Sequence, residues 1–210
     1  TAGPGRMSQN ATRRITQTFN QLISYSKDFG KHTVDAMVGH ESYTMKYEYM
    51  RGYMVAETFN GIHEFANFLT ISDLNSYTDE YKKEGYFGRL NYDYADKYYA
   101  SMSYRHDGSS RFHKDNRWGD FWSFGASWRV SEEEFMKDIT WVNSLKLRAS
   151  YGETGNDQIL DSDGYNSYYP FQTLYTLGKN NGTEPGVFFF DIANSDLKWE
   201  TQVSTDFGIE

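Results

Sequence analysis

Leu145-Lys146-Leu147-Arg148-Ala149-Ser150-Tyr151 alternates residue by residue between apolar and polar side chains, and that period of two decides the fold class. In a β-strand successive side chains point to opposite faces, so Leu145, Leu147, Ala149 and Tyr151 share one face and Lys146, Arg148 and Ser150 the other. The same alternation recurs outward from this stretch in both directions. Trp122, Phe124, Ala126, Trp128 and Val130 alternate with Ser123, Gly125, Ser127 and Arg129. Tyr98, Ala100, Met102 and Tyr104 alternate with Tyr99, Ser101, Ser103 and Arg105, and Leu90, Tyr92 and Tyr94 with Arg89, Asn91 and Asp93. Further out lie Val34, Ala36 and Val38, the stretch Ile15–Tyr25, and Leu197, Trp199, Val203, Phe207 and Ile209. Helical periodicity is rare. The pattern predicts an all-β chain of about seven antiparallel strands.

The connections carry as much information as the strands. Tight turns fall at Lys27–Lys31 and at Ala95-Asp96-Lys97, with the connection Ser131–Asn143 at the same end of the sheet. Longer connections, 41–83, 106–117 and 153–196, all fall at the other end. Short turns on one side and long loops on the other is the layout of a transmembrane β-barrel, in which 41–83 and 153–196 are long extracellular loops. A short helix is expected between Tyr43 and Phe59. Ser131-Glu132-Glu133-Glu134 reads as a helical turn capped by Ser131, with Glu134 at the capping-box position.

Composition agrees. Aromatic residues make up 18% of the 210 residues (18 Tyr, 15 Phe, 5 Trp), yet the mean hydropathy is −0.77. Many rings in a hydrophilic chain suit strands with one apolar and one wet face. The run Val187-Phe188-Phe189-Phe190 is far too short for a membrane helix. The net charge of −8, with no dominant basic patch, argues against a nucleic-acid partner. Cysteine is absent, which excludes disulfide scaffolds and cysteine-based zinc sites. The chain opens on Thr1 and closes on Asp206–Glu210 in mid-strand, so 1–210 is expected to be part of one barrel domain whose remaining strands lie outside it.

Longer blocks carry a family resemblance. Glu84-Gly85-Tyr86-Phe87-Gly88-Arg89-Leu90-Asn91-Tyr92-Asp93-Tyr94 with Asp96-Lys97-Tyr98 resembles the barrel of the SusC/RagA family of TonB-linked outer-membrane transporters. So do Arg105-His106-Asp107-Gly108-Ser109-Ser110-Arg111-Phe112, Asn116-Arg117-Trp118-Gly119, Ser127-Trp128-Arg129-Val130-Ser131-Glu132-Glu133, Leu145–Asn156 and Asn194-Ser195-Asp196-Leu197-Lys198-Trp199-Glu200. These blocks stand in the family's order over roughly residues 81–210. The resemblance implies a barrel of 22 strands with an amino-terminal plug, a SusD-like surface lipoprotein as lid, and TonB as energy source through a region outside this chain. It implies location in the outer membrane, contact with its lipid, and active import of oligosaccharide or peptide. The alternatives are a passive porin-like channel and a soluble, aromatic-rich β-sandwich that binds carbohydrate. The sandwich requires the apolar rows to be buried against a second sheet.

No catalytic constellation is visible, so no enzyme activity and no cofactor is expected. His32, His40, His63, His106 and His113 form no metal-ligand spacing. Asp157, Asp161, Asp163 and Asn166 approach a calcium loop, but Ile159 stands where a ligand is needed, so an acidic turn is the plainer reading. Arg111, with Arg105 and Asp107-Gly108, reads either as an anion or sugar contact or as a loop start with internal ion pairs. Tyr165, Tyr168 and Tyr169, with Phe171 and Tyr175, read either as stacking platforms for a ligand or as loop packing. Trp118, Trp122, Trp128, Trp141 and Trp199 are expected to face lipid or its interface.

Overall fold

The computed structural model describes residues 5–177, 184 and 186–210, and of 189–191 the backbone trace. The strands are β1 (Arg6–Phe29), β2 (His32–Glu57), β3 (Phe68–Tyr94), β4 (Tyr98–Ser109), β5 (Trp118–Arg129), β6 (Lys146–Asn156), β7 (Leu174–Leu177), β8 (Val187–Asp191) and β9 (Glu200–Ile209). Seven of them form one antiparallel sheet in the order β1-β2-β3-β4-β5-β6-β9, and β7 pairs with β8 in a separate hairpin. Each main strand lies beside its neighbour in sequence, the arrangement of an unclosed segment of an up-and-down barrel.

The alternation dictates the register. On one face Leu90, Met102, Phe124, Tyr151 and Thr205 lie across from one another in successive strands. The next rows are Tyr92, Ala100, Ala126, Ala149 and Phe207, then Tyr94, Tyr98, Trp128, Leu147 and Ile209. The opposite face carries Asn91, Ser101, Gly125, Ser150 and Asp206, then Asp93, Tyr99, Ser127, Arg148 and Gly208. Leu90, Met102, Phe124, Leu147 and Phe207 are all exposed. Among the described residues no second sheet covers these rows, which removes the sandwich alternative: in water they have nothing to pack against.

The three connections at one end are tied together through backbone. Ala95 donates its N–H to Lys31 O (2.6 Å), Arg129 to Lys97 O (2.8 Å) and Ser131 to Leu145 O (3.2 Å). The β3–β4 turn holds both Ala95 and Asp96 at φ +57°, the left-handed pair of a type I′ turn, and Asp96 N–H is capped by Asp93 Oδ1 at 3.1 Å. Alanine gains nothing from that conformation. Ala95→Asn is expected to stabilise the folded barrel by about 0.5–1 kcal/mol, read as a higher urea midpoint of the full-length protein in detergent.

The structure revises three sequence expectations. Segment 41–83, expected as a loop with a short helix, is mostly strand: β2 runs to Glu57 and β3 starts at Phe68, leaving one 3-10 turn at Phe65–Asn67. Asn67 organises that connection, accepting from Phe59 N–H at Oδ1 (3.0 Å) and donating through Nδ2 to Phe59 O (2.7 Å) and Ile62 O (2.9 Å). The connection 130–145 holds two 3-10 turns, Val130–Glu132 and Glu134–Met136, and neither has a side-chain cap. Ser131 lies inside the first of them, where a cap is impossible. Within 153–196, β6 continues to Asn156 and the loop builds its own hairpin; residues 178–183 and 185 lie outside the described residues.

The chain divides into two compact units: the described residues up to Gln17 with Thr44–Tyr81, and Thr18–Tyr43 with Lys82–Glu210. In the first, β2 is the half-buried middle strand and β1 and β3 are the open flanks. In the second, the main hydrophobic cluster is Phe112, Phe121 and Trp199, with Ile159 and Leu197 against it.

Candidate functional site

Three features of the larger unit bear on function. The first is the polar face. It encloses a hollow of about 900 Å³ lined by Asp35, Asp93, Tyr99, Lys146, Arg148 and Asp206 among others. Its side chains are mostly small, so the wall stays open. Carboxylates enter it from β2, β3 and β9, and cations from β6. Arg129 and Lys146 both stand over the Tyr99 ring, at 5.6 and 5.1 Å. Asp93 Oδ2 is buried without a hydrogen-bond partner among the described residues.

The second feature is the apolar face, which ends in an aromatic belt at each level. Tyr94, Tyr98 and Trp128 stack in series at one end. Tyr86, His106, Trp118, Tyr104 and Trp122 gather at the other, with His106 lying flat on Trp118 at 4.6 Å. Each belt anchors its polar atoms on carboxylates. Tyr104 O–H donates to Asp120 (2.5 Å) and Tyr86 O–H to Glu84 (2.9 Å). From Trp128 to Trp118 a strand covers roughly 33 Å of path. Tilted by about 40°, that gives a height of about 25 Å, the apolar band of an outer-membrane barrel.

At the tight-turn end the belt is locked from outside the strands. Glu133 Oε1 accepts from Tyr98 O–H (2.6 Å) and Trp128 Nε1–H (3.1 Å), and Glu133 Oε2 from Lys97 Nζ (3.3 Å). The Tyr98 hydrogen bond, then those of Trp128 and Lys97, hold the Glu133 carboxyl below the usual carboxylate range. A depressed folded-state pKa stabilises the ionised form, so the contribution is present above the unfolded value of 4.5 and is lost as pH falls through the folded one. The urea midpoints of wild type and Glu133→Gln are therefore expected to differ at pH 7 and to converge below 4.5. A gap that does not narrow at all as pH falls contradicts this clamp.

The third feature is a knot at the base of the long loops. Phe112 (1% exposed) and Phe121 meet Trp199 at 5.6 and 5.4 Å between ring centroids. Trp199 Nε1–H donates to Arg117 O at 2.9 Å, and Lys83 stands over its ring at 5.4 Å. A Cβ on Gly155 would run into the Phe121 ring, and one on Gly119 would meet Trp199 at 2.9 Å, so both glycines make room for the cluster. Beside it, buried Ser109 donates to Asp157 Oδ2 (2.6 Å), Lys83 approaches Asp157 Oδ1 (3.5 Å), and Asn116 Nδ2 reaches Ser195 O (2.9 Å). The sequence blocks around Asp107–Phe112, Asn116–Gly119 and Trp199 thus pin loops 110–117 and 157–199 to the strand ends.

The sequence-read site residues fall unevenly on this frame. Arg111 is buried: Nη1 donates to Asp157 O (3.0 Å), Nη2 to Asn166 Oδ1 (3.4 Å), and its guanidinium lies 5.3 Å from the Tyr168 ring. Tyr168 and Tyr169 are half-buried and Tyr165 is exposed. Arg105 makes a two-point pair with Asp107 at 3.0 and 3.0 Å, which is the loop-start reading. Asp161 Oδ1 accepts from Asp163 N–H (3.0 Å) and Tyr165 N–H (2.8 Å), so that loop closes on itself as an Asx turn. Trp118, Trp122 and Trp128 belong to the apolar face, but Trp199 does not face lipid: β9 starts only at Glu200, and the ring turns into the knot. Sequence reasoning missed Phe121 and Gly155 as its counterparts. Among the described residues no three His, Asp or Glu side chains converge as a metal site.

Comparison with known proteins agrees with this geometry. The family of TonB dependent receptor-like β-barrels matches residues 1–210. TonB-dependent receptor P3 of Formosa agariphila is 32% identical over all of this chain and 21% of its own length. TonB-dependent receptor SusC of Bacteroides thetaiotaomicron is 32% identical over 92% of this chain and 19% of its own. The RagAB peptide transporter superposes with a TM-score of 0.86 and 27% identity over 96% of this chain and 22% of that one. The chain spans about a fifth of the length of these relatives. With one face shaped for hydrocarbon, one for water, and the match running from end to end, the chain belongs to the TonB-dependent receptor β-barrel family, in the SusC/RagA group, as a barrel segment of the outer membrane.

Proposed function

We propose that this segment is part of an importer that takes oligosaccharides or peptides across the outer membrane. A SusD-like surface lipoprotein closes it from outside, and TonB drives it through a region beyond this chain. The observation that carries the reading is the likeness to SusC and to the RagAB peptide transporter over nearly the whole chain, joined to a polar wall of small side chains. In this reading the connections 58–67, 110–117 and 157–199 lie outside the cell. Tyr165 offers a ring to cargo, Tyr168 and Tyr169 flank it, and Arg111 sets Tyr168 from behind. The segment carries cargo past its wall and does not cleave it.

The test uses the full-length receptor in its own cells, with defined oligosaccharides and peptides supplied in turn. Uptake of one class is expected to vanish when TonB is removed, and the purified receptor is expected to show no steady conductance in planar bilayers. Conductance with TonB-independent uptake marks the passive channel instead. Tyr165→Ala is expected to raise the half-saturating cargo concentration up to about tenfold, the loss of one stacking contact. No shift in that concentration removes Tyr165 from the cargo path.

A further inference from the structure

In the smaller unit β3 is an edge strand of unusual openness. Its register with β4 starts only at Lys83↔Ser109, and from Phe68 to Asp79 the side of β3 away from β2 has no strand beside it among the described residues. Ten residues in a row, Leu69–Thr78, are exposed, including Leu69 (79%), Ile71 (63%) and Leu74 (72%). Proteins normally guard such an edge with lysine, proline or a bulge, because its free N–H and C=O groups template pairing with another chain. This edge has neither lysine nor proline: from Phe68 to Asp79 there is no Lys, Arg, Pro or Gly. The nearest lysine is Lys82, beyond the open stretch.

Charge narrows the choice of occupant. The edge carries Asp73 and Asp79, with Glu80 next in the chain, and no cation, so a second copy of the same edge would place like charges across the ladder. The stretch would be roughly 40 Å long when extended, more than a short cargo peptide engages, and a ladder of that length suits a lasting contact.

We infer that β3 over Phe68–Asp79 is a β-augmentation site, which takes up an extended strand bearing Lys or Arg from a separate folded protein. Backbone bonds supply the affinity. Leu69, Ile71 and Leu74 supply apolar contact, and Asp73 selects for a basic strand. The site is independent of which cargo the receptor imports.

Two measurements on the full-length receptor test it. The probes in the first are ten-residue peptides of alternating valine and lysine, and of alternating valine and glutamate, followed by fluorescence anisotropy. The lysine peptide is expected to bind at least tenfold more tightly, to weaken with salt, and to lose at least tenfold in affinity with Ile71→Pro. That variant must keep the heat-modifiable gel shift of a folded barrel; Ile71→Lys serves if it does not. Equal binding of both peptides, or binding indifferent to position 71, overturns the proposal. In the second, a photo-crosslinking residue at 71 or 75 is activated in cells. Crosslinks to a Lys- or Arg-bearing strand of another protein support the site. Crosslinks within the same chain or to a second copy overturn it.

Discussion

Trp199→Ala is expected to cost about 3–5 kcal/mol, the usual loss for deleting a buried large aromatic, and to release two loops at once. The ring is 8% exposed and touches Phe112 and Phe121, while its N–H occupies Arg117 O. Removing it leaves a cavity, leaves Arg117 O with only the Ser109 N–H, and takes away the aromatic bridge between loop 110–117 and the end of loop 157–199, where Asn116 Nδ2 to Ser195 O remains. Hydrogen exchange on the full-length receptor should show amides in 109–117 and 157–199 exchanging at least a hundredfold faster, with those of β4 to β6 still protected. Unchanged protection of the loops would mean that the ladders alone hold them.

Met102→Arg is the second large effect. Met102 sits in the row with Leu90, Phe124 and Tyr151, midway between the two aromatic belts. A cation on the lipid face at that depth costs about 2–4 kcal/mol. The same change one residue away, Ser101→Arg, turns the cation to the polar face and should cost little. Both are read by refolding the full-length receptor into vesicles and titrating with urea. Equal effects at 101 and 102 would mean that neither face meets hydrocarbon, and the reading of this sheet as a barrel wall would fall.

The strands β4, β5 and β6 were legible because each shows one face to hydrocarbon and the other to water, and that contrast writes itself into the sequence with period two. β2 beyond Tyr43 was not. There it is the middle strand of a three-stranded ribbon, half-covered on both faces, so neither parity is consistently apolar. Phe65 presses over Gly52, Ala56 adopts φ +66°, and Tyr43, Tyr47, Met50 and Met54 fall by chance at helical spacing. The loop knot was legible only as motif. That Arg111 is buried follows from Asp157 and Tyr168, which meet it across a long connection, and no local pattern encodes such a meeting. Leu197 and Trp199 continue the alternation of β9 on paper. In space the strand ends first, and both side chains join the cluster around Phe112 and Phe121.

The strictly sequential strand order has a consequence for how the wall assembles. Every pairing but one joins strands linked by a short connection, so each strand can zip onto its predecessor soon after the turn between them forms. The exception is β6 with β9, separated by residues 157–199. Relative to the turn at Ala95–Lys97 that loop is about four doublings longer, adding roughly 2 kcal/mol of closure entropy. Because Trp199 directly precedes β9 and packs on Phe121 of β5, early collapse of those two rings would bring the ends together before any ladder bond forms. β9 would then join at the pace of its neighbours; without the rings, its arrival becomes the slow step.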